Sequence, residues 1–362
     1  MKRIAIDCRL AEEGGVGRYI RNFVYYLSDL DRENEYTLWT CENSNFESRN
    51  PKQSSNFKIK KTEAKWHSFD EQMKFWKELE EDDYDLVHFP YFSHPIFYRR
   101  PFVVTIHDLT ILHFATGKAT TKNPLVYLAK RLGYLVALQH AINGSKKIIV
   151  PTDFVKKDIE KRYHTQPDRI VVTYEGVGEN MSDMREENPL DKIPEKYYLY
   201  VGNFYPHKNV EFLLRSFKHL KQPNHLVLAG PNDFFTNRIR LVVEELGLSR
   251  SVSFVSRPSD ENLKYLYTHA QALVLPSLFE GFGLPIVEAV YFHCPLLLSD
   301  IPVFHEIALP GTVFFNPRDE KDLAEKLART PKHIEPGKQY FDRFSFEKMS
   351  KDTLQVYKDA LS

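Results

Sequence analysis

Cysteine and net charge are both scarce in this sequence of 362 residues. Three cysteines, Cys8, Cys41 and Cys294, are an odd number without any CxxC spacing, which argues against a disulfide framework and against a zinc site. Lys plus Arg and Asp plus Glu each total 49, so no overall field favours nucleic acid or an anionic membrane. A reducing cytoplasm is the expected location.

Long uninterrupted apolar runs are absent as well. The opening MKRIAIDCRL has too short an apolar part for a signal peptide and is typical of a strand. The richest apolar stretch, 125–150, contains Lys130, Arg131 and His140, which would be costly at bilayer depth. We expect no membrane-spanning segment, while attachment to a membrane surface stays open.

Short apolar runs alternate with stretches of helical period, which is the pattern of mostly parallel sheets covered by helices. In the first half the runs are RIAID, YTLWT, FKIKK, DLVHF, FVVTIHD, KIIVPT and RIVVTY. In the second half they are YYLYVGN, HLVLAG, VSFVS, ALVLPS, PLLLSD and TVFFN. With 42% hydrophobic residues, the chain can fill two cores. The sequence therefore predicts an α/β protein of two domains.

A polar stretch separates the two sets of strands. Residues 175–196 are interrupted by Pro189 and Pro194 and have no clear period, as expected of a linker. The tail FSFEKMSKDTLQVYKDAL has helical period, with Ser345 as its N-cap. We therefore place an N-terminal domain at 1–185, a C-terminal domain at 186–344 and a last helix at 345–362.

A glycine loop, EEGGVGRYI, is expected between the first strand and the first helix. Glycine lets the backbone approach an anion closely, and the N–H groups and dipole of a helix start attract phosphate. Gly14, Gly15 and Gly17 lack the full dinucleotide spacing, so a tight turn without a ligand is the alternative.

The second half repeats this device in YLYVGNFYPHKN, where a strand and a glycine precede a proline and Lys208. A lysine there could neutralise a diphosphate, although a lone lysine is usually a solvated surface residue. Two phosphate-cradling turns, one in each half, support each other. By contrast, ATGKAT at 115–120 is not a phosphate loop, because Leu112 stands where its first glycine is required.

Two glutamates flank a glycine-rich break in EGFGLPIVEAV. Pro285 suits a first helical turn, so we expect Glu280 on the loop before a helix and Glu288 about one turn inside it. The glycines Gly281 and Gly283 would let both carboxylates and several N–H groups face one ligand. Carboxylates accept hydrogen bonds from vicinal hydroxyls, which predicts one glutamate at a reacting sugar and one at a ribose.

Two further features have open alternatives. His107 ends the apolar strand FVVTIHD, where parallel sheets present catalytic groups, but a hydrogen-bonded histidine without a catalytic role is also consistent. The stretch 123–142 is helical in period and largely apolar, with Lys130 and Arg131 clustered. We favour a core helix with a wet edge, and the alternative is an interfacial helix that docks near a lipid-linked acceptor.

Together these residues resemble the retaining glycosyltransferases of family 4, which have the GT-B fold. The likeness extends over nearly the whole chain, through GGVGRY, TIHDL, YVGNFYPHKN, PSLFEGFGLPIVEA, SDIPVFHEI and FSFEKM. It implies an α/β architecture of two Rossmann-like, doubly wound domains that face a cleft. The C-terminal helix would return to the N-terminal domain.

The resemblance also implies a site for a nucleoside diphosphate sugar. Lys208 would bind the diphosphate, Glu280 would hold the donor sugar and Glu288 the ribose. The catalytic residues implied are His107, Lys208 and Glu280. The donor-binding residues implied are Gly15, Gly17, Asn203, Lys208, Phe282, Gly283, Leu284 and Glu288.

One departure from the family pattern concerns the diphosphate. Many relatives carry an arginine near the phosphate lysine, where this sequence has Asn203 and His207. Lys208 would then bear more of the charge, or Arg9 or Arg18 would supply some of it.

Enzymes of this family transfer sugars with retention and without a metal or cofactor. We therefore expect a cytoplasmic hexosyltransferase of the mannosyltransferase-like branch, which moves mannose from GDP-mannose, or a sugar from UDP, to a hydroxyl of a glycan or lipid-linked acceptor. The context would be cell-surface polysaccharide synthesis, with peripheral contact at the inner face of the membrane and no nucleic acid. The alternatives are a UDP-sugar epimerase of similar shape and a nucleotide-binding partner subunit without turnover.

Overall fold

The chain forms two compact units. The computed structural model describes residues 1–46, 55–114, 124–178, 181, 184–189, 194, 196–220, 224–329, 331, 333 and 335–362. The stretch 115–120 and part of the predicted linker at 175–196 lie outside these residues. One unit comprises Met1–Leu109, Lys122–Glu175 and Arg343–Ser362, and the other comprises Thr110–Thr121 and Gly176–Asp342. In the part of the chain so described, no helix is long and apolar enough to cross a membrane.

Strands and helices alternate along both units. The strands are β1 (Arg3–Asp7), β2 (Glu35–Cys41), β3 (Phe57–Thr62), β4 (Leu86–Phe89), β5 (Phe102–Thr105), β6 (Lys147–Val150), β7 (Ile170–Val172), β8 (Tyr198–Val201), β9 (Leu226–Gly230), β10 (Val252–Ser256), β11 (Ala272–Leu275), β12 (Leu296–Ser299) and β13 (Val313–Phe315). The helices are α1 (Gly14–Leu30), α2 (Trp76–Glu81), α3 (Thr110–His113), α4 (Pro124–Gly144), α5 (Asp153–Tyr163), α6 (Val210–Lys218), α7 (Phe234–Glu245), α8 (Asp260–His269), α9 (Leu284–Tyr291), α10 (Pro302–Ile307), α11 (Glu320–Leu327), α12 (Lys338–Arg343) and α13 (Phe346–Leu361).

The sheet of the first unit winds in two directions from its centre. Its order is β3-β2-β1-β4-β5-β6-β7, and every pairing is parallel. The chain moves outward from β1 to β3 and then returns to place β4 on the other side of β1. The segments that follow β1 and β4 therefore diverge from one edge of the sheet, which is where ligands bind in such folds.

The sheet of the second unit repeats this plan with six strands. Its order is β10-β9-β8-β11-β12-β13, again with parallel pairings throughout, so the direction reverses between β8 and β11. All strands predicted from the apolar runs are present. The two sheets confirm the predicted α/β fold with two Rossmann-like domains.

Apolar sequence explains how each core forms. The strands β4, β5, β11 and β12 are buried at every residue, as expected for strands covered on both faces. Thr152 and Ser345 cap α5 and α13 as predicted, because their hydroxyls accept hydrogen bonds from backbone N–H groups of the first turn.

Helix α13 packs on α1, and its Tyr357 hydroxyl lies 2.7 Å from Nδ1 of His88. The C-terminal helix thus returns to the first unit.

The three cysteines are unpaired. Cys8 and Cys294 are buried, and burial raises the pKa of both thiols, that of Cys294 to about 12. Cys41 is half-buried, and burial raises the pKa of its thiol too. The three sulfur atoms therefore stay protonated at neutral pH.

The expected glycine loop before the first helix is wrong in its boundary. Helix α1 begins at Gly14, so Gly15 and Gly17 lie inside its first turn. A Cβ atom on Gly17 would stand 2.6 Å from the carbonyl oxygen of Ala11, so only glycine lets the preceding loop lie against the helix. A Cβ atom on Gly15 would meet no atom within 4 Å.

This contrast makes the two glycines a matched pair for a stability measurement. We expect Gly17→Ala to lower the free energy of unfolding by about 1–3 kcal/mol, because the methyl group overlaps the Ala11 carbonyl. Gly15→Ala should cause no loss, because a methyl group there enters open space and alanine favours helix. Urea unfolding followed by circular dichroism measures both. Equal stability of the two variants would contradict the close contact at Gly17.

Candidate active site

Strands β8 and β11 form the point where the second sheet changes direction. Because parallel neighbours end at the same edge, the segments that follow these two strands are brought side by side. The segment after β8 contains Asn203 and Lys208, and the segment after β11 contains Glu280. The strand order thus places these three predicted site residues at one edge of one sheet.

A backbone hydrogen bond ties the two segments together. The residues Pro206–Lys208 form a short 3-10 turn, and the carbonyl oxygen of His207 accepts from the N–H group of Leu278 at 2.8 Å. Within the turn, the N–H group of Lys208 donates to Tyr205 O at 2.9 Å. Pro206 restricts the backbone φ angle at the start of this turn, which limits the backbone conformations available near Lys208.

Lys208 and Glu280 form a two-pronged ion pair. Lys208 Nζ lies 2.7 Å from Oε1 and 2.6 Å from Oε2 of Glu280, and Ser277 Oγ donates to Oε1 at 2.7 Å. The lysine and glutamate side chains are 18% and 12% exposed, so the pair is accessible from one side. Water screens such a pair less than one on the open surface. An arriving anion could take the lysine and leave the carboxylate free to accept hydroxyl groups.

Helix α9 begins directly after this pair. Its N-cap, Gly283, has a φ of 116°, which an L side chain rarely adopts, and no side chain caps the helix. Pro285 lies in the first turn, as predicted, so Glu280 precedes the helix and Glu288 lies one turn inside it. Phe282 is buried, while Gly283 and Leu284 are half-buried. Pro285 has no N–H group and the N–H group of Ile286 donates to Gly283 O at 2.8 Å, so the helix dipole is the feature that favours an anion at this end.

Glu288 is buried and has a partner that the sequence did not suggest. Its Oε2 accepts a hydrogen bond from the Tyr267 hydroxyl of α8 at 2.8 Å, and the residue is 4% exposed. Tyr267 and Ser277 therefore contact the candidate site residues Glu288 and Glu280, and the sequence did not predict these contacts. Ser277 had a signal, since it lies between an apolar strand and a glutamate. Tyr267 had none, because it lies inside a helix of ordinary apolar period.

Asn203 and His207, the polar residues near Lys208, have different environments. Asn203 lies in the segment after β8, where its side-chain oxygen accepts from Tyr205 N at 3.4 Å. His207 is buried, and its ring lies 6.1 Å from that of Phe114. The ring centre of Phe279 in turn lies 4.3 Å from that of His113, so the segment 110–114 covers the loop that carries Glu280. His207 is thus a packing residue, and nothing in the sequence indicated that 110–114 belongs to this unit.

In the first unit, His107 lies just after β5 and makes two hydrogen bonds. Its Nδ1 is 3.0 Å from Oε1 of Glu175, and its Nε2 is 2.9 Å from the carbonyl oxygen of Pro90. Burial opposes a charge on the ring, but the hydrogen bond and charge of Glu175 outweigh it and raise the pKa of His107 above its ordinary value. Glu175 is 4% exposed and was not predicted as a functional residue.

The hypothesis that Arg9 adds charge at a diphosphate is wrong. Its Nη2 lies 2.7 Å from Asp7 Oδ2 and 2.8 Å from Glu71 Oε1, and its side chain is 1% exposed. Ser93 Oγ donates to the same Glu71 at 2.6 Å. The guanidinium is therefore committed to a buried cluster at the β1–β4 edge, where its structural role is to hold two loops together.

Two family models match adjacent parts of the chain. The model described as Glycosyltransferase Family 4 matches residues 13–180. The model described as Glycosyl transferases group 1 matches residues 182–333. The second match contains Lys208, Glu280 and Glu288.

Curated relatives are similar over about two thirds of the chain. The O-antigen chain mannosyltransferase RfbU of Salmonella typhimurium is 29% identical over 249 residues, which cover 68% of this chain and 66% of that protein. The O-antigen chain mannosyltransferase B of Escherichia coli is 26% identical over 280 residues, which cover 71% of this chain and 70% of the Escherichia coli protein.

Solved structures share the fold over nearly the full length. Sucrose-phosphate synthase from Thermosynechococcus elongatus superposes with a TM-score of 0.75 at 18% identity, covering 99% of both chains. Anabaena HepE, solved in complex with UDP and glucose, has a TM-score of 0.75 at 15% identity and covers 99% of this chain and 100% of that one. At these identities the likeness is one of fold.

Proposed function

This chain is a glycosyltransferase of the GT-B type, made of a family 4 domain followed by a group 1 domain, and on that premise we propose that it is a retaining, metal-independent hexosyltransferase. The favoured reaction moves mannose from GDP-mannose to a hydroxyl of a glycan or lipid-linked acceptor. The names of the similar O-antigen mannosyltransferases support the choice of sugar. The observation that carries the proposal is the accessible Lys208–Glu280 pair beside the uncapped start of α9.

The pair supports a donor-binding role because its two charges can be separated by a ligand. A diphosphate carries more negative charge than the carboxylate of Glu280. It would therefore accept hydrogen bonds from Lys208 in place of Glu280. Glu280 would keep the hydrogen bond from Ser277 and turn its other oxygen to the hydroxyls of the sugar. The lysine and the dipole of α9 then stabilise the charge that develops on the departing nucleoside diphosphate. Positive charge from these groups supports transfer without a metal.

Glu288 is the proposed partner of the ribose. The hydroxyl of Tyr267 donates to Oε2 and thereby fixes the orientation of the carboxylate, which would accept a hydrogen bond from a ribose hydroxyl. Burial of this glutamate supports a role with a nucleotide that is itself largely enclosed.

Retention without a covalent intermediate is the proposed course. In the proposed donor complex Ser277 still donates a hydrogen bond to Glu280, and the sugar hydroxyls donate to its other oxygen, which reduces the nucleophilicity of the carboxylate. A carboxylate so held is better suited to position hydroxyls than to attack carbon. The acceptor oxygen would then approach from the face that the diphosphate leaves, which is the course usually proposed for this family.

Incubation of the protein with GDP-mannose, UDP-glucose or ADP-glucose and a glycolipid extract separates the candidate functions. We expect a mannosylated product from GDP-mannose whose new linkage is α by NMR, as in the donor, and a rate that EDTA leaves unchanged. An isomerised donor would instead indicate an epimerase. Bound but unchanged nucleotide would indicate a subunit without turnover. Loss of activity in EDTA with recovery in Mg²⁺ would refute metal independence alone.

Substitution of either member of the ion pair tests the site. We expect Lys208→Ala and Glu280→Ala each to lower kcat at least about a hundredfold, as when one contact to a transition state is removed. Lys218→Ala is the matched control, since Lys218 is exposed at the end of α6 in the same unit. Melting curves of all variants establish that each is folded. A near-normal rate in either pair variant would remove that residue from the site.

Peripheral membrane contact forms part of the proposal, and helix α4 supports it. Leu128, Leu132 and Val136 are 61%, 61% and 48% exposed, and their spacing of four puts them on one face. Leu138 and Ile142 lie buried on another side. The exposed positions 128, 132 and 136 of α4 are therefore apolar.

The sequence around helix α4 is rich in basic residues and lacks acidic ones, which suits an anionic bilayer. No acidic residue occurs between Asp108 and Asp153. The same stretch holds six basic residues: Lys118, Lys122, Lys130, Arg131, Lys146 and Lys147. A helix with exposed leucines inside such a stretch is attracted to anionic lipid and can insert its apolar face at the interface.

Sedimentation with vesicles tests this contact. We expect binding to phosphatidylglycerol vesicles that weakens as salt is raised, and no binding to phosphatidylcholine vesicles. The double variant Leu128→Ser, Leu132→Ser should lose binding, whereas Leu241→Ser should keep it, because Leu241 is equally exposed (60%) but lies on α7 of the other unit. Equal binding by all three proteins would exclude α4 as the docking face.

A further inference from the structure

His88, which is buried, and His107, which is half-buried, lie at neighbouring strand ends of the first sheet and have opposite kinds of partner. His88 is in β4, and His107 follows β5, which pairs with β4. Each uses both ring nitrogens in hydrogen bonds. Because an imidazole nitrogen either donates or accepts, the partners determine how many protons the ring must carry.

His88 is surrounded by hydroxyl groups. Its Nδ1 lies 2.7 Å from the Tyr357 hydroxyl and its Nε2 lies 2.8 Å from Thr105 Oγ1. A hydroxyl can donate or accept, so one proton on the ring satisfies both bonds. Burial and the nearby charge of His107 lower the pKa of His88 to about 3. This ring is neutral at physiological pH.

His107 is surrounded by acceptors. Glu175 Oε1 lies at 3.0 Å from Nδ1 and Pro90 O at 2.9 Å from Nε2. An ionised carboxylate and a carbonyl oxygen can only accept, so both ring nitrogens must carry a proton for both bonds to exist. The alternative is a neutral pair in which a protonated Glu175 donates to Nδ1.

The other groups around His107 favour the charged form. Asp108, next in the chain, adds negative charge that raises the pKa of the ring. The ring of Tyr19 from α1 meets it edge to face at 4.9 Å, and the ring of Tyr91, after β4, stacks at 6.5 Å. His88, across in β4, stays neutral and so adds no repelling charge. The ring is thus a cation beside one buried carboxylate and two aromatic rings.

From this geometry we infer that Glu175 and the Pro90 carbonyl hold His107 as an imidazolium at neutral pH. Glu175 is then a positioning residue, and His107 contributes a positive charge, because both of its N–H groups already donate to Glu175 and Pro90. With both nitrogens protonated it cannot take a proton from an acceptor hydroxyl, so it is not a general base. The link to catalysis rests on the proposed function, whereas the protonation state does not.

The C-terminal segment holds this arrangement in place. Arg343 donates through Nη2 to the Tyr174 hydroxyl at 2.7 Å, and its guanidinium lies 4.3 Å from the centre of that ring. Tyr174 directly precedes Glu175, so the backbone that presents the carboxylate is anchored. Tyr357 of α13 anchors His88 in the same sheet.

Nitrogen-15 NMR of the imidazole rings tests the inference directly, with His107→Gln used to assign the signals. In the wild-type protein we expect both nitrogens of His107 to be protonated at pH 7, with a midpoint above the ordinary value of about 6.5. His88 should stay neutral from pH 5 to 9 and serves as an internal reference. A His107 ring with one proton at pH 7 would overturn the proposal, because that is the signature of the neutral pair.

The variant Glu175→Gln supplies the matched test of the positioning residue. The amide oxygen can still accept from Nδ1, but its charge is gone, so the midpoint of His107 should move below that of the wild type. An unmoved midpoint would exclude Glu175 as the cause. Should this variant fail to fold, the wild-type titration alone decides.

The pH profile of sugar transfer distinguishes a catalytic role of His107 from a purely structural one, because a purely structural role would leave the profile unchanged. We expect kcat to fall as pH rises through the midpoint of His107, and this alkaline limb should shift to lower pH in Glu175→Gln. An alkaline limb that keeps its position in the variant would overturn the role in catalysis. A protein that titrates as expected but transfers no sugar would refute the proposed function and leave the imidazolium intact.

Discussion

The pairing of β8 with β11 is the constraint on which the candidate site of the second unit depends. Both strands are parallel and adjacent although 70 residues of chain and two other strands separate them, so their following segments emerge together. A lysine from one segment and a glutamate from the other then meet at hydrogen-bond distance. Remote parts of the sequence thereby form one charged pair, and the glycine at the start of α9 lets the helix begin directly beside it.

Each sheet places an ion cluster beside its change of direction, and the two clusters differ in access. In the first unit, Arg9 is enclosed between Asp7 and Glu71, with no exposed face. In the second, Lys208 meets Glu280 with part of both side chains in contact with solvent. Breaking the buried Arg9 network would leave a buried charge without a partner, so its role is structural. The partly exposed Lys208–Glu280 pair can exchange one partner for a ligand at a lower cost in free energy.

Much of the fold could be predicted because each strand is a short apolar run with its own boundaries. The position of Pro285 also gave the start of α9 and hence the setting of Glu280 and Glu288. Contacts between distant residues could not be predicted in this way. The bonds from Tyr267 to Glu288 and from His107 to Glu175 depend on which helix and which loop lie nearby, and side-chain periodicity carries no such information. The start of α1 was misplaced because glycine lowers helix propensity, while the close approach of Ala11 selects glycine for another reason.

The state of the three native thiols has a practical consequence. Because Cys8 and Cys294 are buried and none of the three sulfur atoms is ionised at neutral pH, each is a slow nucleophile. A cysteine engineered on an exposed helix would react with a maleimide dye well ahead of them. Fluorescent probes for distance measurements between the two units can therefore be attached without first removing the native sulfur.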